Sequence, residues 1–189
     1  MLILKDKDFI GKGSERACYL HPEDKNKAVK VTYKNNKREK NKQSEKEVNY
    51  YKELIKRGMN DWQHLPKFYG EIDTNHGEGF IIEVVRDYDG EVSKTFAHYI
   101  KENGIDFYKQ EINEYKEYFL RNRIIFNYGM MPKNILLRKI SKEKSQLVLI
   151  DGLGDVSHFT LPNKIPYFAR RRINRRWDKF VNKYLKNNF

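Results

Sequence analysis

The stretch Ile125 to Asp155, IIFNYGMMPKNILLRKISKEKSQLVLIDGLGD, limits the fold more than any other part of the chain. It contains two short apolar runs, Ile135-Leu136-Leu137 and Leu147 to Ile150, each of strand length. Pro132, Lys133 and Asn134 stand directly before the first run, and Asp151 directly after the second. An amide oxygen and a carboxylate are thereby placed at the ends of two short strands. Both are hard oxygen groups of the kind that divalent cations take as ligands.

A chain of 189 residues suits one substantial domain, or two small lobes sharing a cleft, and is too short for two ordinary domains. Charged residues make up 34% and the mean hydropathy is −0.89, yet 39% hydrophobic and 14% aromatic content is enough for a core. The single cysteine, Cys18, excludes an internal disulfide and fits a reducing compartment. The amino-terminal MLILKDKDF lacks the apolar core of a signal peptide, and no run approaches a membrane span. These features predict a cytoplasmic protein with no integral membrane segment. A net charge of +12 predicts attraction to polyanions without choosing among nucleotide, nucleic acid and anionic lipid.

Residues Phe9 to Tyr33 read as a meander: a strand entering a glycine turn at Gly11 and Gly13, a strand from Ala17 to Leu20, a polar turn from Pro22 to Lys27, and a strand from Ala28 to Tyr33. Lys34 to Lys46 is a basic run that reads as a solvated loop. Ser44-Glu45-Lys46-Glu47 then has a capping-box pattern, and Val48, Tyr51, Leu54 and Ile55 follow at helical spacing, predicting a helix that opens at Ser44 and ends near Gly58. Strands near Lys67 to Ile72 and Gly77 to Val85 complete a five-stranded antiparallel sheet, and the polar break at RDYDG suits a hinge. A short helix is predicted at Thr95 to Tyr99. A longer one spans Ile105 to Arg123, whose stripe of Phe107, Tyr108, Ile112, Tyr115, Phe119 and Leu120 reads as core. After Asp155, His158 and Phe159 come the breakers Pro162 and Pro166 and a last amphipathic helix. From Leu161 to Phe189 there are nine Lys or Arg against one acid, Asp178.

With these segments in this order, the chain resembles a protein-kinase-like fold. It resembles the PhoP regulatory network protein YrbL family and is more distantly similar to the lipopolysaccharide Kdo/heptose kinases. The resemblance runs through GKGSERACYLHPEDKNKAVKV, EVNYYKEL, DWQHLPKFYGEIDTNHGEGFIIEVVRDYDG, MPKNILL and IDGLGD. It implies an α+β, two-lobed architecture: an N-lobe over 1–86 with five strands and one helix, a truncated, mainly helical C-lobe over 87–189, and an ATP cleft between them. By position, Gly11 and Gly13 would cover phosphates, Lys30 would contact them, and Glu47 would hold Lys30, unless Glu47 only closes a capping box onto Ser44. Backbone groups near Val84 and Val85 would meet the adenine edge. Asn134 and Asp151 would bind Mg2+.

The resemblance also has gaps. Arg16 replaces the third glycine of the phosphate-covering turn. The catalytic loop, His-Arg-Asp-Leu-Lys-Pro-x-Asn in ordinary kinases, reads Asn127 to Asn134 here, with Gly129 in place of the aspartate and Met131 in place of the lysine. A positioned base contributes roughly 10²- to 10⁴-fold to such reactions, so its loss implies a slow transferase and not necessarily a dead one. Lys133 is a candidate to neutralise a transferring phosphate, or a lysine facing solvent. Asp155 is a candidate substitute carboxylate, or a surface acid. Three readings therefore stay open: an ATP- and Mg2+-dependent phosphotransferase with an unidentified acceptor, a nucleotide-binding pseudokinase with a regulatory role, and a basic module that contacts polyanions through Arg170, Arg171, Arg172, Arg175 and Arg176.

Overall fold

Strand alternation decides which residues share a face of the first sheet, because successive side chains on a strand point to opposite sides. The fold was examined in a computed structural model of the chain, which describes residues 1–13, 16–32, 38–127, 129–154 and 165–186, the side chains of 38–43 excepted. Strands β1 (Phe9–Lys12), β2 (Arg16–His21), β3 (Asp24–Thr32), β4 (Phe68–Thr74) and β5 (Gly77–Glu83) form one antiparallel sheet in the order β1-β2-β3-β5-β4. On one face, Ala28, Phe80, Ile82 and Val84 are buried with Val48 of helix α1 (Arg38–Lys56), with Cys18, Leu20 and Phe68 packed against them. On the other, Val29 and Val31 are buried with Leu4, flanked by Leu2, Tyr19, Ile72 and Ile81. The amino-terminal segment is held there by a bridge from Leu2 to Thr74 and a bond from Leu4 N to Asn75 Oδ1 (2.8 Å).

Helix α1 starts six residues before the predicted Ser44. Ser44 is therefore no N-cap: it is buried inside the helix and its Oγ accepts from Thr32 Oγ1 at 2.8 Å. The sequence signal failed because Arg38 to Gln43 carries no apolar periodicity, so nothing distinguished its helical backbone from a loop. The alternative in which Glu47 merely closes a capping box is overturned with it. Of the basic run, 34–37 lie outside the described residues.

The chain divides into two units, Met1–Gly58 with Pro66–Val85, and Met59–Leu65 with Arg86–Phe189. In the second, helices α2 (Phe96–Asn103), α3 (Lys109–Asn122) and α4 (Pro166–Phe180) accompany a hairpin of β6 (Ile135–Lys139) and β7 (Ser145–Leu149). Thr95 caps α2, its side chain accepting from His98 N. Pro166, read from sequence as a breaker, occupies the first turn of α4, where its missing N–H costs nothing. The core is aromatic, with Tyr115 4.8 Å from Phe119, Phe119 5.1 Å from Phe126, and Tyr115 6.0 Å from Trp177. Phe107 is an exception to the predicted stripe: it precedes α3 and is 71% exposed, while Tyr118 takes a core place.

Segment Met59–Leu65 belongs to this second unit through long-range bonds. His64 Nδ1 donates to Leu147 O (2.6 Å), Leu149 N donates to His64 O (3.0 Å), and Tyr118 OH donates to Asp61 O (2.7 Å). Burial holds the His64 ring below the ordinary histidine pKa. Among the described residues no helix is long and apolar enough to cross a membrane.

Candidate functional site

In the first unit, the even-numbered residues of β2 and β3 face α1, so Arg16, Cys18, Lys30 and Thr32 lie on one side of the sheet. Register pairs Arg16 with Thr32, Cys18 with Lys30, and Lys30 with Phe80. Lys30 Nζ reaches Glu47 Oε1 at 3.2 Å, and the same carboxylate is met at Oε2 by Arg16 Nη1 at 2.6 Å. All three side chains are nearly closed to water, 12%, 3% and 9% exposed for Lys30, Glu47 and Arg16. Both cations also lie over the Phe80 ring, 5.6 Å for Lys30 and 5.8 Å for Arg16. Beside them, burial raises the Cys18 thiol pKa, partly offset by the positive charge of Lys30 and Arg16.

Gly11 and Gly13 lie on β1 and in the turn after it, and Gly13 N donates to Arg16 O at 2.8 Å. A Cβ at Gly11 would meet nothing within 4 Å. The fold itself therefore does not require glycine there. Residues 14 and 15 of the turn lie outside the described residues. Val84 and Val85 close the first unit; the Val84 N–H is taken by Asn26 O at 2.8 Å, so that group stays within the sheet.

In the second unit, the segment from Asn127 to Asn134 is built by backbone interlocking. Asn127 N donates to Gly152 O (2.7 Å), Gly154 N to Ile125 O (2.8 Å), and Ile150 N to Asn134 O (3.0 Å). These bonds put Asn134 and Asp151 on adjoining rungs of the β6–β7 hairpin. Asn134 spends its Nδ2 on Gly129 O (2.8 Å), which orients its amide. Asp151 Oδ1 accepts from Gly152 N at 2.8 Å. An amide oxygen and a carboxylate are the donor types that a hard divalent cation takes, and Mg2+ is bound elsewhere by short donor sets with water completing the shell. Lys133 is exposed in the 3-10 turn Pro132–Asn134.

Gly129 is fixed by its neighbours. Its N–H donates to the buried Asn127 Oδ1 at 2.6 Å, and a Cβ there would come within 2.7 Å of that oxygen and 3.5 Å of Gly152 Cα. Gly152 is tighter still: φ is +91°, and a Cβ would lie 2.9 Å from both Gly129 C and Met130 N. Tyr128 and Asp155 lie outside the described residues, as do His158, Phe159 and Pro162.

Two residues gained roles that the sequence reading did not assign. Arg16 was read only as a lost glycine, although its even spacing from Cys18 on β2 was a signal that it shares a face with Lys30. Arg176 is buried and donates through Nη1 to the carbonyl of Phe126, directly before the loop. The arginines of α4 thus do not form one surface: Arg170, Arg171 and Arg175 are exposed, Arg172 is half-buried, and Arg176 turns inward.

A family model described as PhoP regulatory network protein YrbL matches residues 2–185. The YrbL proteins of Escherichia coli K12 and Shigella flexneri are each 29% identical over 185 residues, covering 96% of this chain and 87% of theirs. The crystal structure of a kinase domain superposes with a TM-score of 0.52 at 19% identity, covering 78% of this chain. The chain spans about half, 51%, of that structure. The likeness to the solved domain shows a kinase-like α+β fold with a five-stranded antiparallel sheet.

Proposed function

The chain belongs to the PhoP regulatory network protein YrbL family, and on that premise we propose that it is an ATP- and Mg2+-dependent phosphotransferase of low turnover whose acceptor is not identified. The observation that carries this reading is the buried pair of Lys30 and Glu47 at 3.2 Å, on a strand and helix of a kinase-like fold. A lysine sequestered on an apolar strand face suits a ligand with clustered negative charge.

In this reading the turn that begins at Gly11 and Gly13 would cover the phosphates, its Gly13 N–H being kept by Arg16 O, and the ammonium of Lys30 would hold phosphate oxygens, while Glu47 restricts where Lys30 points. Asn134 and Asp151 would hold the magnesium, which supplies charge neutralisation at the phosphates. The Asn134 Nδ2 is taken by Gly129 O, which would leave the amide oxygen as the ligand atom. Lys133 stands next to Asn134 as an exposed cation for the transferring group. Positioning and electrostatics carry most of phosphoryl transfer, so a chain lacking a loop carboxylate keeps the larger share of the catalysis.

The test is Mg-ATP titration by calorimetry together with ADP release. Parent protein is expected to bind; Lys30→Ala should lose binding, and Asp151→Ala should lose ADP release while its far-UV circular dichroism stays that of the parent. A parent protein that binds no ATP would remove the reading.

A second reading, a nucleotide-sensing pseudokinase, is favoured by the packing at Gly129, where a side chain would have to displace the Asn127 amide that accepts the Gly129 N–H. ATP binding without ADP release, unchanged in Asp151→Ala, would select it over the first.

A further inference from the structure

The carboxylate of Glu47 serves two cations at once. It meets the lysine only at Oε1, and at the longer distance, 3.2 Å against 2.6 Å for the arginine. Charge-assisted bonds strengthen as they shorten, and a guanidinium holds a carboxylate with a planar, directional donor set that an ammonium lacks. Arg16 is therefore the stronger of the two holders. Its backbone is itself fixed, since Gly13 N donates to Arg16 O and Arg16 pairs in register with Thr32. One turn before Glu47, Ser44 takes the bond from Thr32 Oγ1, and Val48 and Tyr51 are buried on the same side of α1. The helix is thus moored to β2 and β3 by Arg16 and Thr32, which face each other across the two strands one same-face rung beyond Lys30.

We propose that Arg16 is a positioning residue for Lys30: it pins Glu47, and with it α1, against the sheet independently of the lysine, so that the Lys30 ammonium is aimed by a carboxylate already held in place. The inference deepens the nucleotide reading and rests on it for the ligand of Lys30. Its mechanical half, the mooring of α1, stands on the geometry of the first unit alone. In a pair of only lysine and glutamate, losing the lysine would free the helix. Here the two events are separated, and α1 stays docked whether or not Lys30 is engaged with an anion.

The experiment is hydrogen exchange of the full chain, with amides of 44–54 in α1 measured against those of β3 and β5 in the same molecule, alongside Mg-ATP affinity. The internal reference separates local release of the helix from general destabilisation. Arg16→Gln is expected to speed α1 exchange relative to the sheet by about tenfold or more and to weaken ATP affinity by a similar factor. Arg16→Lys, which keeps the charge but loses the planar donor set, should recover only part of both. Lys30→Met should lose ATP affinity while α1 exchange stays within about threefold of parent. Equal acceleration in Lys30→Met and Arg16→Gln, or an unchanged helix in Arg16→Gln, would overturn the proposal. If the parent binds no ATP while the exchange pattern is as expected, the nucleotide reading fails and the anchoring role of Arg16 stands.

Discussion

The two units hold their key residues by different physical means. The first uses side-chain charge: one buried carboxylate between two cations, on the helix-facing side of a sheet. The second uses backbone: the Asn127 to Asn134 segment is laced to 150–154 by main-chain hydrogen bonds and kept tight at Gly152, where a Cβ would meet backbone atoms at 2.9 Å. A charge network depends on each member's presence and tolerates small shifts. A backbone interlock tolerates changes of side-chain charge and fails on the addition of a single methyl group.

The sharpest way to break this contrast is Glu47→Leu, which takes the shared carboxylate away from two buried cations. Loss of about 3–5 kcal/mol is expected in chemical denaturation of the full chain. A loss under about 1 kcal/mol would show that the network carries no weight in stability. Gly152→Ala attacks the other unit. With φ at +91° and backbone atoms 2.9 Å from the new carbon, about 2–4 kcal/mol is expected, read by the same denaturation curve.

Gly129→Asp, which restores the residue type of ordinary kinases, is expected to cost about 1–3 kcal/mol and to leave ADP release no higher than in the parent, because the added carbon collides with Asn127 Oδ1. Faster ADP release in that variant would mean the loop yields where the packing says it does not. Ser44→Ala should cost about 1 kcal/mol, the worth of one bond to Thr32, with the thermal midpoint as the measure.

The smallest effect concerns pH. The buried His64 titrates below its ordinary value of 6.5, so the folded state binds fewer protons than the unfolded one as pH falls through that range. Stability should be full above about pH 6.5 and decline as pH drops toward the lowered folded pKa. His64→Gln should flatten that part of the profile in denaturation curves taken across acidic pH.

The strands were readable because the β3 and β5 stretches carry short, mostly apolar runs, Ala28 to Val31 and Phe80 to Val85, bounded by polar turns, and strand geometry then places Lys30 on the α1 face. Asn134 and Asp151 were readable because two short apolar runs mark the hairpin that carries them. What sequence did not reveal depended on distance along the chain. Arg16 and Glu47 are 31 positions apart, and local spacing cannot show that a lost glycine has become a carboxylate's partner. The allegiance of Met59–Leu65 to the second unit rests on His64 and Leu147, separated by 83. Gly129 was visible as a substitution, but its packing against the Asn127 side chain, whose Oδ1 takes the Gly129 N–H, was not. The start of α1 was missed because its first turns are uniformly polar.

The bond from Arg176 to the Phe126 carbonyl joins residues separated by 50 along the chain. Contacts of such separation form after local ones in folding, because the intervening chain must first lose its freedom. The Asn127 to Asn134 segment is therefore expected to set late, once α4 has docked. In refolding from denaturant, the Mg2+ binding proposed for Asn134 should return after the helical signal, and Arg176→Met should lengthen that lag.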